Sequence, residues 1–244
     1  LLKKVEVSKN INPLDLICFE DDRFLVINKP ALISTLEDRA DARNILSMFR
    51  EIYPGVSVCH RLDKETSGAL LMAKDEEAYR AAALQFEARE VDKVYHALVK
   101  GQFADETLQV DMPLRIAGSG RVKIDSKRGK EATTLFRPKA YMGNYTLVEA
   151  KPVSGRRHQI RAHLAYLGFP ICGDEYYGGE PVFLSAIKKN YKISEGREER
   201  PLFDRVALHA YQIALSPLEG HTIQVACDYP KDLDMILKKI EKFG

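Results

Sequence analysis

Two short segments hold the residues best suited to chemistry. The first is His60-Arg61-Leu62-Asp63-Lys64-Glu65-Thr66-Ser67-Gly68, a polar stretch set between two apolar runs. Its carboxylate, Asp63, can serve as nucleophile or base if it stays ionised. The second is Gly155-Arg156-Arg157-His158-Gln159-Ile160-Arg161, followed by His163. It gathers arginines and histidines where a helix is expected to begin, and a helix N-terminus reinforced by arginine attracts phosphate or carboxylate. An Arg161–Asp63 pair would hold the aspartate ionised in a partly buried site. Taken by composition alone, the first segment reads as a solvated turn and the second as a basic face.

Competing chemistries fail on spacing. His158 and His163 are five apart and cannot share a helix face as zinc ligands four apart do. Gly118-Ser119-Gly120 lacks the Gly-Lys-Ser/Thr ending of a phosphate loop, and Glu131 after Gly129-Lys130 breaks that pattern again. No Gly-x-Ser-x-Gly elbow is present. Cys18, Cys59, Cys172 and Cys227 lie too far apart in sequence for a zinc or redox motif and are expected to be buried thiols. No metal site is expected.

The elements that must carry these segments follow from patterning. Phe24–Asn28, Ala69–Ala73 and Val94–Val99 read as strands. Thr133–Phe136 and Tyr145–Val148 read as a hairpin turning at Gly143-Asn144, and Leu208–Leu215 and Thr222–Ala226 as late strands. Helices are expected over Asn44–Tyr53, from an Asp75 cap to Ala88, over His158–Leu167 with Gly168 as left-handed cap, and over Pro230–Lys242. Irregular alternation with short turns favours an α+β fold on a mainly antiparallel sheet. The polar stretch 180–201 is expected to be a surface excursion from a single domain spanning 1–244.

With 244 residues, 45% hydrophobic and 30% charged, the chain is ordinary globular material. No apolar run reaches the ~20 residues that span a bilayer, and the first residues lack the apolar core of a secretory signal, so a cytoplasmic protein is expected. The net charge of +2 neither demands nor excludes nucleic acid. Its distribution says more. From Ala150 to Gly173 there is no acid, while Lys151, Arg156, Arg157 and Arg161 fall there. A second basic stretch holds Arg115, Arg121, Lys123, Lys127, Arg128 and Lys130 against Asp125.

Five blocks, in order, then carry a resemblance: Phe24–Pro30, His60–Gly68, Lys93–Val99, Gly155–Leu164 and Gly168–Asp174, with Leu208-His209-Ala210 behind them. From about Asp15 to Ala226 the sequence resembles the RluA family of pseudouridine synthases, and His60 separates it from the related RsuA type, which usually has glycine there. The resemblance implies the pseudouridine synthase fold, a mixed, mostly antiparallel sheet with flanking helices and a central active-site cleft. It implies conversion of uridine to pseudouridine in ribosomal or transfer RNA, with neither metal nor organic cofactor. Asp63 would be the catalytic carboxylate, Tyr95 would lie against the target base, Arg161 would pair with Asp63, and Arg61 would stand in for the base that leaves the stack. His60, Thr66, Arg156, His158 and Ile160 would complete the substrate-binding set, Ile160 being equally readable as helix packing.

The match departs from the family in one loop. After Lys29-Pro30 the usual continuation is Ala-Gly-Leu with a nearby His-Pro; here it is Ala31-Leu32-Ile33-Ser34-Thr35-Leu36-Glu37. Many relatives also carry a small RNA-binding domain ahead of the catalytic one, and only about a dozen residues precede Asp15. Recognition by the catalytic domain itself is therefore expected, with Arg121, Lys123, Lys127 and Arg128 on a mobile arm contacting the RNA backbone, on the same face as Asp63. No membrane or obligate protein partner is expected, so the protein should act as a monomer. Two alternatives compete: a non-catalytic RNA-binding module retaining the fold, against which the intact Asp63, Tyr95 and Arg161 argue, and a glycosidase, which usually needs a second carboxylate that the matched blocks do not supply.

Overall fold

The computed structural model describes residues 11–37, 43–103, 106–118, 120–191, 193 and 196–244. The chain runs β1 (Ile17–Glu20), β2 (Phe24–Lys29), α1 (Ile45–Arg50), β3 (Ser57–Val58), β4 (Ser67–Ala73) and α2 (Glu76–Ala88). It continues through β5 (Asp92–Lys100), β6 (Leu108–Asp111), β7 (Leu114–Ile116), β8 (Val122–Ile124), β9 (Thr133–Met142) and β10 (Tyr145–Pro152). Then come α3 (Gln159–Tyr166), α4 (Leu184–Ile187), β11 (Leu208–Leu218), β12 (His221–Ala226) and α5 (Lys231–Phe243). Helices set beside mainly antiparallel strands give the expected α+β class. The chain divides into two compact units, one formed by 1–92 with 210–228, the other by 93–209 with 229–244.

In the first unit the strand order is β1-β2-β4-β11, with β12 on β11 and β3 on β4. β2 and β4 pair antiparallel from Phe24 opposite Ala73 to Lys29 opposite Gly68. Both are short apolar runs, and their alternating side chains are buried on both faces. Phe24, Val26, Ala69, Leu71 and Ala73 share one core with Ala78 and Ala82 of α2. Asp75 caps that helix through the Ala78 amide at 2.9 Å, as its position before Glu76-Glu77 predicts. Gly68 has φ +111°, and a Cβ there would lie 2.2 Å from the Ala210 carbonyl oxygen. Only glycine lets β4 start against the backbone of β11.

The second unit is built on the order β5-β10-β9-β6, antiparallel throughout, with Tyr95 opposite Ala150. The β9–β10 hairpin turns at Gly143-Asn144 as expected but is longer: β9 runs on to Met142 through residues that alternate between exposed and half-buried, and β10 runs on to Pro152 through the charged Glu149 and Lys151. α5 buries Leu233, Ile236, Leu237 and Ile240, the predicted face. α3 ends at Tyr166, and Gly168 just past its Leu167 cap takes the left-handed φ of +82°.

Several expectations change. The helix expected over Asn44–Tyr53 stops at Arg50, where the Ile52 and Tyr53 amides both turn back to the Phe49 carbonyl. Most described residues of 180–201 are exposed, but Val182 is fully buried and bridges to Phe203, and Ile187 is also buried. Cys18 is exposed, contrary to expectation. The β1–β2 register slips between Ile17 and Phe19, and the Cys18 thiol lies 3.4 Å from that of buried Cys227. Strands β1, β3, β6, β7 and β8 are two to four residues long, too short to stand out in the sequence.

Candidate active site

Asp63 stands half-buried in the turn joining β3 to β4. The segment just past β2 holds the main chain on either side of it. The Thr35 hydroxyl donates to the Leu62 carbonyl at 2.9 Å and accepts from the Leu62 amide at 3.2 Å. The Lys64 carbonyl accepts from the Leu32 amide at 2.7 Å and from Lys29 Nζ at 3.3 Å. The Asp63 carbonyl accepts from the Thr66 amide at 3.1 Å, which closes the turn. Lys29 is fully buried, and its ammonium also donates to the Pro30 and Ile33 carbonyls, each at 2.8 Å. The departure from the family after Pro30 falls here: Leu32 takes φ +68°, where a residue with Cβ is rare.

The other sequence-predicted residues of this turn divide. The Arg61 side chain is exposed. Thr66 is buried. His60 is packed: its ring stacks on Phe86 of α2, with centroids 5.0 Å apart, and its Nε2 accepts from the Leu71 amide at 3.1 Å. An acceptor at Nε2 puts the proton of the neutral ring on Nδ1.

In the second unit, Tyr95 is half-buried on β5 and packs against the larger core. Ile160 and Arg161 sit in the first turn of α3. Ile160 is 5% exposed and belongs to that core, in line with helix packing. Arg161 is a buried cation. Its Nε and Nη2 donate to the two oxygens of Asp174 at 2.7 and 2.8 Å, and its guanidinium lies 5.3 Å from the Tyr177 ring centre. Removing one partner of such a pair strands the other charge, at a cost of about 3–5 kcal/mol.

The loop before α3 is organised by Gln159. Its Oε1 accepts from Ser154 Oγ at 2.7 Å and from the Arg156 amide at 3.0 Å, while its Nε2 donates to the Thr133 carbonyl and Thr134 Oγ1. Arg156 is exposed, with Nε donating to the Glu131 carbonyl at 3.2 Å. His158 takes φ +51°, and its Nδ1 lies 3.1 Å from the Tyr177 hydroxyl. His163 is a core residue between Thr134 Oγ1 and the Met112 carbonyl, and burial pushes its pKa down. Among the described residues, no three His, Cys, Asp or Glu gather as a metal site.

The second basic stretch forms the β7–β8 hairpin and the turn after it. The Arg121 guanidinium lies 5.6 and 5.3 Å from the ring centres of Tyr176 and Tyr177, and the Tyr177 hydroxyl bonds both the amide and the carbonyl of Val122. Arg121 thus helps dock the hairpin. Lys123, Lys127 and Arg128 are exposed. The Asp125 carboxylate accepts the amides of Lys127 and Arg128 and pairs with Arg115 at 2.6 Å. The Arg128 amide is the first of these groups holding its pKa below the usual carboxylate value.

The structure therefore assembles His60, Arg61, Asp63 and Thr66 on one turn. It assembles Arg156, His158, Ile160 and Arg161 at the start of α3, joined through Tyr177 to Arg121. Sequence reasoning gave no role to Lys29, Thr35, Gln159 or Asp174. Asp174 left one signal: it is the first acid after the stretch from Ala150 to Gly173.

A model of the RNA pseudouridylate synthase family matches residues 23–166. The chain is 33% identical to a dual-specificity RNA pseudouridine synthase RluA of Vibrio parahaemolyticus, over 95% of this chain and 91% of that one. The chain belongs to the RluA family of RNA pseudouridine synthases. Its matched span takes in Asp63, Tyr95 and Arg161, while Asp174 lies beyond it. A ribosomal large subunit pseudouridine synthase C of Haemophilus influenzae is 32% identical, over 97% of this chain and 73% of its own. The solved structure of human RNA pseudouridylate synthase domain containing 4 shares the fold, with a TM-score of 0.71 and 24% identity over 93% of this chain and 95% of that one. This pseudouridine synthase is an isomerase that converts uridine in RNA to pseudouridine. Among its described residues no helix is long and apolar enough to cross a membrane.

Proposed function

We propose that Asp63 is the carboxylate that engages the target uridine, in ribosomal or transfer RNA. The observation that carries this reading is the Asp63 turn itself: a half-buried carboxylate beside the exposed Arg61, its neighbours' main chains fixed on both sides, inside the span shared with the family. Pseudouridine formation cuts the glycosidic bond, turns the uracil and rejoins it through carbon. An ionised carboxylate can serve as nucleophile or as base in that sequence. The target base must first leave its stack. Arg61 is proposed to fill the space left behind, and Tyr95 to lie against the extruded uracil. Arg161, held by Asp174, is proposed as the cation that keeps Asp63 ionised. Arg156 and His158 are proposed to meet the substrate backbone, and no metal or organic cofactor is invoked. The two units are proposed to work as a single catalytic domain, in the cytoplasm and as a monomer.

Asp63→Asn keeps the shape and removes the charge. Isomerisation of an RNA transcript that the parent modifies should vanish in single-turnover assays while RNA affinity is retained. A rate within about tenfold of the parent would refute the assignment.

A further inference from the structure

We infer that Thr35 and Lys29 are positioning residues for the isomerisation, acting through the backbone of the Asp63 turn. The inference rests on the reading of Asp63 as the reacting carboxylate. A side chain's aim is set by its own rotamer and by the main chain that carries it. Here both neighbours of Asp63 are fixed from one segment. Behind it, one hydroxyl satisfies both main-chain polar groups of Leu62. Ahead of it, the Lys64 carbonyl is held by the Leu32 amide and the Lys29 ammonium. The Asp63 carbonyl is occupied by the Thr66 amide.

The cradle is itself braced. The Lys29 ammonium sits among the Pro30, Ile33 and Lys64 carbonyls, so a fully buried charge is met by oriented backbone dipoles. That arrangement folds residues 30–33 tightly enough to drive Leu32 to φ +68°, and the same turn aims the Leu32 amide at Lys64. The far end of the cradle is tied to α1: the Ser34 and Thr35 carbonyls accept from the Ile45 and Leu46 amides at 2.9 and 3.2 Å. A left-handed leucine and a buried lysine both oppose folding unless the surroundings enforce them. Their presence beside the turn, with the Lys29 ammonium spanning three main-chain carbonyls, points to geometry as what they supply. Displacing a reacting group by about 1 Å can cost on the order of a hundredfold in rate.

Thr35→Val removes the hydroxyl at nearly constant volume, and Thr35→Ser keeps it. Both would be assayed beside Asp63→Asn, using a ribosomal or transfer RNA transcript that the parent modifies. Single-turnover rate at saturating enzyme, RNA dissociation constant and thermal midpoint would be measured, the rates well below the lowest midpoint. Thr35→Val should slow the rate on the order of a hundredfold, with RNA affinity unchanged, and Thr35→Ser should restore most of it. Lys29→Met should slow the rate in the same way and also lower the midpoint. If Thr35→Val does not fold, Thr35→Ala takes its place. A Thr35→Val rate equal to the parent's, with Asp63→Asn inactive, overturns the positioning role and leaves the Asp63 reading intact. Equal losses in Val and Ser also overturn it, because Ser retains the hydroxyl. An active Asp63→Asn overturns the Asp63 reading itself, whatever the Thr35 variants do.

Discussion

The Asp63 turn and the start of α3 hold their functional groups in opposite ways. In the first unit the turn is held mostly through main-chain groups, by one hydroxyl, one amide and one ammonium. In the second, side chains hold side chains: Asp174 grips Arg161, Gln159 ties Ser154 to Thr134, and Tyr177 touches His158, Arg161 and Arg121. A short carboxylate has little reach, so fixing its backbone nearly fixes its oxygens. A long arginine has many rotamers, and fixing its backbone would leave its guanidinium unaimed. Bidentate pairing to a buried carboxylate solves that problem.

Breaking the side-chain scheme should give the largest effect. Asp174→Ala removes the carboxylate that meets both Nε and Nη2 of the buried Arg161 cation and should lower stability by about 3–5 kcal/mol, read from denaturant unfolding. Arg161→Lys should lose less stability but still impair turnover, because an ammonium cannot reproduce the planar fork that meets both Asp174 oxygens. If Asp174→Ala unfolds at the parent's denaturant midpoint, the contrast between the two regions fails.

The second unit should also be the more acid-sensitive. His96, on β5, is 1% exposed, and its Nδ1 lies 2.6 Å from the Tyr229 hydroxyl. Burial, and after it the charge of Lys139, lowers its pKa to about 3. The unfolded chain therefore binds a proton that the native state refuses. Stability should fall as pH drops below the unfolded value of about 6.5, by about 1.4 kcal/mol per pH unit, until the native histidine titrates near 3. His163, also lowered chiefly by burial, adds to the same trend. Unfolding free energies of His96→Gln and the parent between about pH 6 and 4 should differ in slope by one proton. Parallel slopes would show that His96 takes up its proton in the native state as readily as in the unfolded chain.

Much of this was legible in the sequence, for reasons that differ by element. Strands buried on both faces, such as Phe24–Lys29 and Ser67–Ala73, announce themselves as apolar runs. Caps such as Asp75 and Gly168 are local chemistry and were readable. The α+β class and the family followed from motif blocks. The strands of the basic stretch did not show, because short, partly exposed strands differ little from loops. The Asp63 cradle did not show either. It joins residues 29–35 to 62–64 through main-chain groups, which every residue carries and no composition reveals. The departure at Ala31-Leu32-Ile33 marked the place, but the meaning of a left-handed leucine needed the backbone. Asp174 ends one of the motif blocks, yet its role was hidden, since a partner thirteen residues from Arg161 has no periodic signature.

The smallest effect on catalytic rate is expected from the basic hairpin, where the comparison between backbone and side-chain fixation gives way to exposed charge. Arg121 belongs with the side-chain scheme, because its guanidinium packs on Tyr176 and Tyr177. Replacing it would disturb the docking of the hairpin as well as its charge. Lys123, Lys127 and Arg128 are exposed, and the turn that carries the last two is formed by Asp125 through their backbone amides, which alanine retains. The triple substitution of these three by Ala should therefore leave the thermal midpoint nearly unchanged. If they meet phosphates, affinity should weaken to a similar degree for many RNA sequences, since phosphate contacts position without reading bases. The slope of log affinity against log salt should shrink by about 0.7 to 0.9 for each phosphate that is no longer neutralised. The single-turnover rate at saturating enzyme should stay near the parent's, because these residues lie outside the matched motif blocks. An unchanged salt slope would make the hairpin a bystander and move backbone recognition to the Lys151–Arg161 stretch or to Lys188–Arg200.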